Sequence, residues 1–410
     1  MHNSAKPTNV WTQVALISLG GFFEFYDIFF AGYIAPGLIR SGILPANGIA
    51  GFVAAMFSGL FVGTALVSFA ADRFGRRTIF TYSLLWYTVA SVIMAFQHDA
   101  FGLNLWRFIS GIGVGVELVT IDTYLSELVP ANLRGRAFAV NQAIQFCAVP
   151  VVALFAWLLV PRAPFGLDGW RWVVLLGAVG AILVWWIRRR IPESPRWIAQ
   201  RTDAAPRRRG SFSEMWRPPY RTRSIMLIVF HLFQTVGFYG FSNWVPTLLI
   251  KRGIPITNSL RYTFIIAIAA PFGPLFAAAI ADKLERKWQI VLSAFVVALA
   301  GLLFGQMSIA ALLIFFGVLL TLANNILSFS CHAYQAELYP TRIRARAVGF
   351  VYSWSRISVV FSSFVIGFVL DRFGAGGVFT FIAGSMLIVM LDIGLLGPRT
   401  NNLALETISQ

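Results

Sequence analysis

The sequence predicts an all-α, polytopic membrane protein of twelve transmembrane helices in two pseudo-symmetric six-helix bundles, and three observations carry that reading. Hydrophobic residues make up 58% of the chain and charged residues 12%, with a mean hydropathy of +0.72, whereas soluble domains carry about a quarter charged residues. The apolar residues fall into runs of roughly the 20 residues that a helix needs to cross a bilayer core. Two stretches recur at one offset of 210 residues: Asp72–Arg77 (DRFGRR) returns as Asp282–Lys287 (DKLERK), and Tyr124–Ala137 (YLSELVPANLRGRA) as Tyr334–Ala347 (YQAELYPTRIRARA), the latter with seven of fourteen positions identical. A fixed period marks a duplicated unit, here a membrane bundle with charged loops.

The predicted spans are 12–38, 47–71, 78–97, 100–125, 136–161 and 169–190 in the first copy, and 224–250, 258–281, 288–306, 308–336, 345–370 and 374–397 in the second. Lipid offers no partner to a backbone amide, so spans of this length are helices. The stretch 188–223 holds eleven Arg against Glu193, Asp203 and Glu214, and reads as a linker between the copies. The domains are therefore 1–190, the linker 191–223, and 224–410.

The net charge of +16 is unevenly spread. With the N-terminus inside, the outer loops and adjoining helix ends hold seven of the 33 Lys and Arg: Arg40, Arg162, Arg171, Lys251, Arg252, Arg261 and Arg372. This positive-inside bias places both termini in the cytoplasm and the chain in the cell membrane as a multi-pass protein. The basic charge thus reads as an orientation signal in contact with lipid, with no nucleic-acid partner. Cys147 and Cys331 lie deep in different spans and form no disulfide framework. The first apolar run is too long for a cleaved signal. Gly111, Gly113 and Gly115 lack a strand-turn-helix setting, and small residues at that spacing let helices approach.

The motifs together resemble those of the major facilitator superfamily along the whole chain. DRFGRR after span 2, RFISGIGVGVELVTIDTYLSELVPANLRGR through span 4, PESPRW at 192–197 and GPRTNN at 397–402 are similar to signatures of its sugar-porter-like branch. The resemblance implies two six-helix halves related by an axis along the membrane normal. Span 7 reads FQTVGFYGFSNWVPTLL where sugar porters carry a QQxxGxN-type signature. Span 1 reads FFEFYD, closer to the acidic DxxD element of aromatic-acid:proton and related metabolite:proton symporters, with Glu24 in the first acidic place and Asp27 in the second. That resemblance also implies basic residues in spans 4 and 11, where Arg107 and Arg356 fall.

Charge inside a membrane is expensive, roughly 2.5–3.5 kcal/mol per central residue on the insertion scale, and persists where it is paired or lines a wet cavity. Glu24 and Asp27, three residues apart, share a face of span 1. Asp27 and Arg107 lie about 15 Å and 10 Å below the outer ends of their helices, depths that allow contact, and Arg356 lies near the midplane. None follows the repeat: the positions 210 residues away are Gln234, Gly237, Gly317 and Phe146. These readings assign Asp27, Glu24 and Arg107 to proton coupling, with a structural ion pair as the alternative. Arg356 is the anchor for an anionic substrate, or the partner of a carboxylate elsewhere.

Polar and aromatic residues expected at the cavity are Tyr26, Gln142, Gln145, Gln234, Tyr239, Asn243, Asn324, Asn325, Tyr352 and Trp354, with helix–helix hydrogen bonding the alternative. Asp72, Arg73, Arg76, Arg77, Glu127, Arg134 and Arg136 should form a cytoplasmic gate. Asp282, Lys283, Arg286, Lys287, Glu337, Arg344 and Arg346 should form its repeat. His231 and His332 read as isolated, so neither a metal site nor a cofactor is expected, protons being the coupling ion. No residue constellation suggests an enzyme. The function expected is proton-coupled uptake of a small organic anion, an aromatic or related carboxylate, by a protein acting as a monomer. Proton symport of a sugar or polyol, proton-driven export, and a sensor or scaffold on a transporter fold are the alternatives.

Overall fold

The computed structural model describes residues 10–45, 47–64, 74–130, 133–188, 212–280, 283–340 and 343–400. The first half builds α1 (Val10–Arg40), α2 (Ile49–Val62), α3 (Arg76–Ala95), α4 (Ala100–Leu128), α5 (Arg134–Phe146), α6 (Ala148–Leu159) and α7 (Gly169–Arg188). The second builds α8 (Tyr220–Ser242), α9 (Val245–Lys251), α10 (Ile256–Ala267), α11 (Phe272–Ile280), α12 (Arg286–Gln306), α13 (Ala310–Glu337) and α14 (Arg344–Leu396). α14 carries the last two spans, which turn at Gly374 with φ +67°, a backbone region open to glycine. The remaining breaks divide the fifth, seventh and eighth spans into α5–α6, α8–α9 and α10–α11.

Proline explains those three breaks. A proline lacks the N–H that would reach the carbonyl four residues back, and its ring crowds that carbonyl. α5 ends at Phe146, four residues before Pro150; α8 ends at Ser242, four before Pro246; and α10 ends at Ala267, four before Pro271. Pro274 likewise frees the carbonyl of Ala270, which accepts a hydrogen bond from Asn325 Nδ2 at 3.2 Å.

The glycines of α4 serve packing. A side chain on Gly111 or Gly115 would meet Met56 O or Leu60 O of α2 at 2.3 Å, and one on Gly59 of α2 would meet Phe108 O of α4 at 2.0 Å. The two backbones therefore touch, as the spacing of small residues predicts.

The helices alternate in direction, so one face carries the start of α1, the ends of α4 and α7 and the start of α8; we call it the linker face. The bundles meet along two seams, α2 against α14 and α5–α6 against α10–α11. On the half away from the linker they also close through α1. A side chain on Gly32 would meet Asn243 O at 2.3 Å, Gly367 faces both Ala50 and Trp244 at 3.6 Å, and Trp157 stacks on Phe264 with ring centroids 5.7 Å apart.

Candidate functional site

Two arrangements of buried charge occupy the middle of the protein. In the first bundle, Asp27 of α1 and Arg107 of α4 form an ion pair with Nη1 and Oδ2 2.9 Å apart, and Arg107 is fully buried. Asp27 Oδ2 also accepts from Ser110 Oγ at 3.0 Å, and Oδ1 from Ser91 Oγ at 2.7 Å. Arg107 Nη2 donates to the backbone carbonyl of Asp27 at 2.6 Å, and its Cζ lies 4.2 Å from the Phe30 ring centroid. Such hydrogen bonds offset the desolvation that makes a buried pair costly. The pair sits within the bundle, beside a small void lined by Tyr87, Thr88 and Ser91, rather than on the space between bundles.

That space is a chamber of about 640 Å³, open volume included, on the linker side of the midplane. α1, α4 and α5 give it Phe25, Ile28, Leu118, Gln142 and Phe146. The opposite wall, from α8, α13 and α14, contributes His231, Gln234, Tyr239, His332, Tyr352 and Arg356 among others. Phe146 and Phe238, edge-on with centroids 6.2 Å apart, separate it from a second cavity of about 370 Å³, open volume included, that Asn325 and Tyr33 line.

Arg356 is 2% exposed. Its Nη1 donates to Tyr239 Oη at 3.2 Å and its Nη2 to Tyr352 Oη at 2.9 Å, while Nε has no hydrogen-bond partner among the described residues. Among those residues no carboxylate reaches ion-pair distance of it. A buried guanidinium is ordinarily paired, so hydroxyl partners alone leave this one with unused capacity for an anion.

Of the residues expected at the cavity, Gln142, Gln234, Tyr239 and Tyr352 line the chamber, and Gln142 Oε1 has no partner among the described residues. Six do not line it, for reasons of packing. Tyr26 donates its hydroxyl to Val173 O at 2.7 Å and fills the notch at Gly177. Gln145 fills the notch at Gly21. Asn243 sits at the α8–α9 break against Gly32. Asn324 Nδ2 donates to Gly237 O at 3.2 Å, and Asn325 caps Ala270 and faces the second cavity. Trp354 packs on Phe350, ring centroids 6.3 Å apart.

Two features escaped sequence reasoning. His231 and His332, expected to be isolated, both line the chamber and are joined through the buried Gln335. Asp392, late in α14, is buried, and its Oδ2 has no partner among the described residues; its place in the last apolar run is visible in the sequence.

Of the expected gate, Asp72, Arg73 and Asp282 lie outside the described residues, as do the side chains of Arg76, Glu127 and Arg134. Arg286 and Glu337 pair at 2.5 Å, and Arg344 Nε donates to Tyr339 O at 3.1 Å. Lys287 lies over the Trp288 ring; Arg136, Lys283 and Arg346 are exposed and Arg77 is partly buried.

Two helical bundles enclosing a polar chamber, with buried charge at their centre, define a membrane transporter for small molecules. The family model of the Major Facilitator Superfamily matches residues 17–328 and 262–404, and the chain belongs to that superfamily. It is 32% identical to the metabolite transport protein YyaJ of Bacillus subtilis (strain 168), over 93% of this chain and 90% of that one. It is 27% identical to the niacin transporter NiaP of Acinetobacter baylyi, over 97% and 96%. Among solved structures, the xylose transporter XylE from E. coli in a partially occluded inward open conformation aligns with a TM-score of 0.81 at 18% identity, covering 96% of this chain and 99% of that one. The protein is thus a multi-pass membrane transporter and not an enzyme.

Proposed function

We propose that the protein is a proton-coupled symporter that takes up a small organic anion, an aromatic or related carboxylate, by alternating access. One observation carries the substrate class: Arg356, buried in the chamber wall, is held by two tyrosine hydroxyls with no carboxylate at ion-pair distance among the described residues. A carboxylate entering the chamber would complete its hydrogen bonding with a charge-assisted, two-pronged contact. Phe25, Phe146, Phe230 and Phe238 line the same chamber and suit a flat apolar ring. A neutral sugar would leave the guanidinium's charge uncompensated. Names of relatives agree in kind, the niacin transporter at 27% identity and a 4-methylmuconolactone transporter of Cupriavidus pinatubonensis at 25%.

In this proposal Asp27 is the proton carrier. Protonation of Asp27 would release Arg107, loosening the tie between α1 and α4, while loss of the proton restores the pair. Glu24, buried about one turn before Asp27 on α1, is the second proton-carrying carboxylate of this proposal. With the linker face cytoplasmic, as the positive-inside bias indicates, contacts at Gly32, Gly367 and Trp157 shut the outer side, and the chamber belongs to the inward-facing half of the cycle. The protein would then act as a monomer in the cell membrane, with protons as its only coupling species.

The test is uptake by purified protein in liposomes with an acidic exterior, using labelled benzoate, nicotinate, a sugar acid and xylose. Accumulation of the aromatic acids, abolished by a protonophore, is the expected outcome. Accumulation of xylose alone would replace this reading with sugar symport, which the XylE-like fold would accommodate.

A further inference from the structure

The second bundle carries a hydrogen-bonded chain, with a histidine on the chamber at each end, that neither the sequence repeat nor the proposed function accounts for. His231 Nε2 donates to Gln335 Oε1 at 2.9 Å, and Gln335 Nε2 donates to His332 Nδ1 at 3.3 Å. His231 and Gln335 are 3% and 2% exposed. A neutral imidazole has one donor and one acceptor nitrogen. Because His332 Nδ1 accepts from the amide, its proton resides on Nε2, and the ring is left with one N–H to donate.

Tyr352 fixes where that donor stands. The rings of His231 and His332 both lie 5.2 Å from the Tyr352 ring, centroid to centroid, and Arg356 Cζ lies 4.8 Å from the same centroid. Tyr352 also accepts from Arg356 Nη2 through its hydroxyl. One aromatic ring therefore spaces a cation from a neutral donor, and all four side chains line the chamber. If the histidines served only to join α8 to α13, apolar contact would suffice, since interhelical hydrogen bonds add little in a membrane.

We propose that His332, held in its Nε2–H form by Gln335, is a second recognition point for cargo: it donates to a hydrogen-bond acceptor on the ring of the carboxylate that Arg356 holds. This rests on the anion reading above and narrows it. The cargo is a flat aromatic carboxylate bearing a ring nitrogen or a ring hydroxyl, and a plain aromatic acid is discriminated against because it leaves the imidazole donor unmatched. Sites built around such a donor reject analogues that lack the acceptor far more strongly than apolar pockets reject a changed methylene. His332 and Arg356 are specificity-determining and anchoring residues, and Gln335 is a positioning residue.

The experiment is competition binding to the full-length protein in lipid nanodiscs with three probes: pyridine-3-carboxylate, 3-hydroxybenzoate and benzoate. The wild-type protein should prefer at least one of the first two over benzoate by roughly tenfold or more, and the preferred one tells nitrogen from hydroxyl. His332→Phe and Gln335→Leu should each bring that ratio towards one. Equal wild-type affinity for all three probes overturns this inference and leaves the anion reading standing; failure of all three to bind overturns both. A wild-type preference that survives in both variants also overturns the role of His332. Should a variant fail to fold, the wild-type ratio still decides whether the chamber reads a ring acceptor, and the milder His332→Gln, which keeps an N–H donor, should retain part of the preference; a preference lost in it as completely as in His332→Phe counts against the donor role.

Discussion

Asp27 and Gly237 occupy equivalent places in the two halves, 210 residues apart, and in both the backbone carbonyl is bonded from the same neighbouring helix of the repeat. Arg107 Nη2 reaches Asp27 O at 2.6 Å, and Asn324 Nδ2 reaches Gly237 O at 3.2 Å. A polar tie between the first and fourth helices of each half is thus a property of the duplicated fold, and a neutral amide is enough to make it. The charge in the first half goes beyond that need. The second half instead turns Arg356, His231 and His332 towards the chamber, where the first half offers Phe25, Ile28 and Phe146. One half seals its charge inside a bundle and the other turns it to the chamber. In the function proposed above, that difference separates a place for protons from a place for substrate.

The largest expected effect on binding is at the charge that faces the chamber. Arg356→Gln should lower affinity for an aromatic carboxylate by about 2–5 kcal/mol, the usual cost of truncating one partner of a buried charge contact, read as a loss of thirtyfold or more in binding. Arg356→Lys should recover only part of it, because an ammonium lacks the planar fork. Binding unchanged in Arg356→Gln would remove the second half's distinctive role.

On the sealed side the effect should fall on stability. Arg107→Ala strands a buried carboxylate and should cost about 3–5 kcal/mol, visible as a lower unfolding temperature in detergent. The double variant Asp27→Ala with Arg107→Ala should be less destabilised than Arg107→Ala alone, and simple additivity of the two single changes would show that the ions do not depend on each other. The smallest effect should come from the neutral counterpart: Asn324→Leu should cost about 0.6–2 kcal/mol and leave proton-driven uptake in place. A transport defect as deep as that of an Asp27 variant would erase the distinction between the two ties.

Much of this contrast is legible in the sequence because charge within apolar runs is conspicuous. Asp27, Arg107 and Arg356 stand out for that reason, and the depth of Asp27 along α1 against that of Arg107 along α4 makes their contact foreseeable. The twelve spans follow from hydropathy, and the proline breaks add detail that hydropathy lacks. What a helix faces is harder to read. Tyr26 adjoins the cavity-facing Phe25 in sequence, but lies about 100° further round the helix and spends its hydroxyl on Val173. Asn324 and Asn325 look like cavity amides, but are taken up by carbonyls of neighbouring helices. The histidine chain is invisible along the sequence, because His231 meets Gln335 across 104 residues and no repeat position flags either.

The most direct measurement is on Asp27→Asn in liposomes, comparing uphill uptake driven by a pH gradient with exchange of labelled for unlabelled cargo at equal pH. If the first half carries the proton and the second the cargo, the variant loses accumulation and retains exchange. Uphill accumulation at the wild-type level would contradict this division of roles, and so would loss of exchange in a protein that still folds and binds.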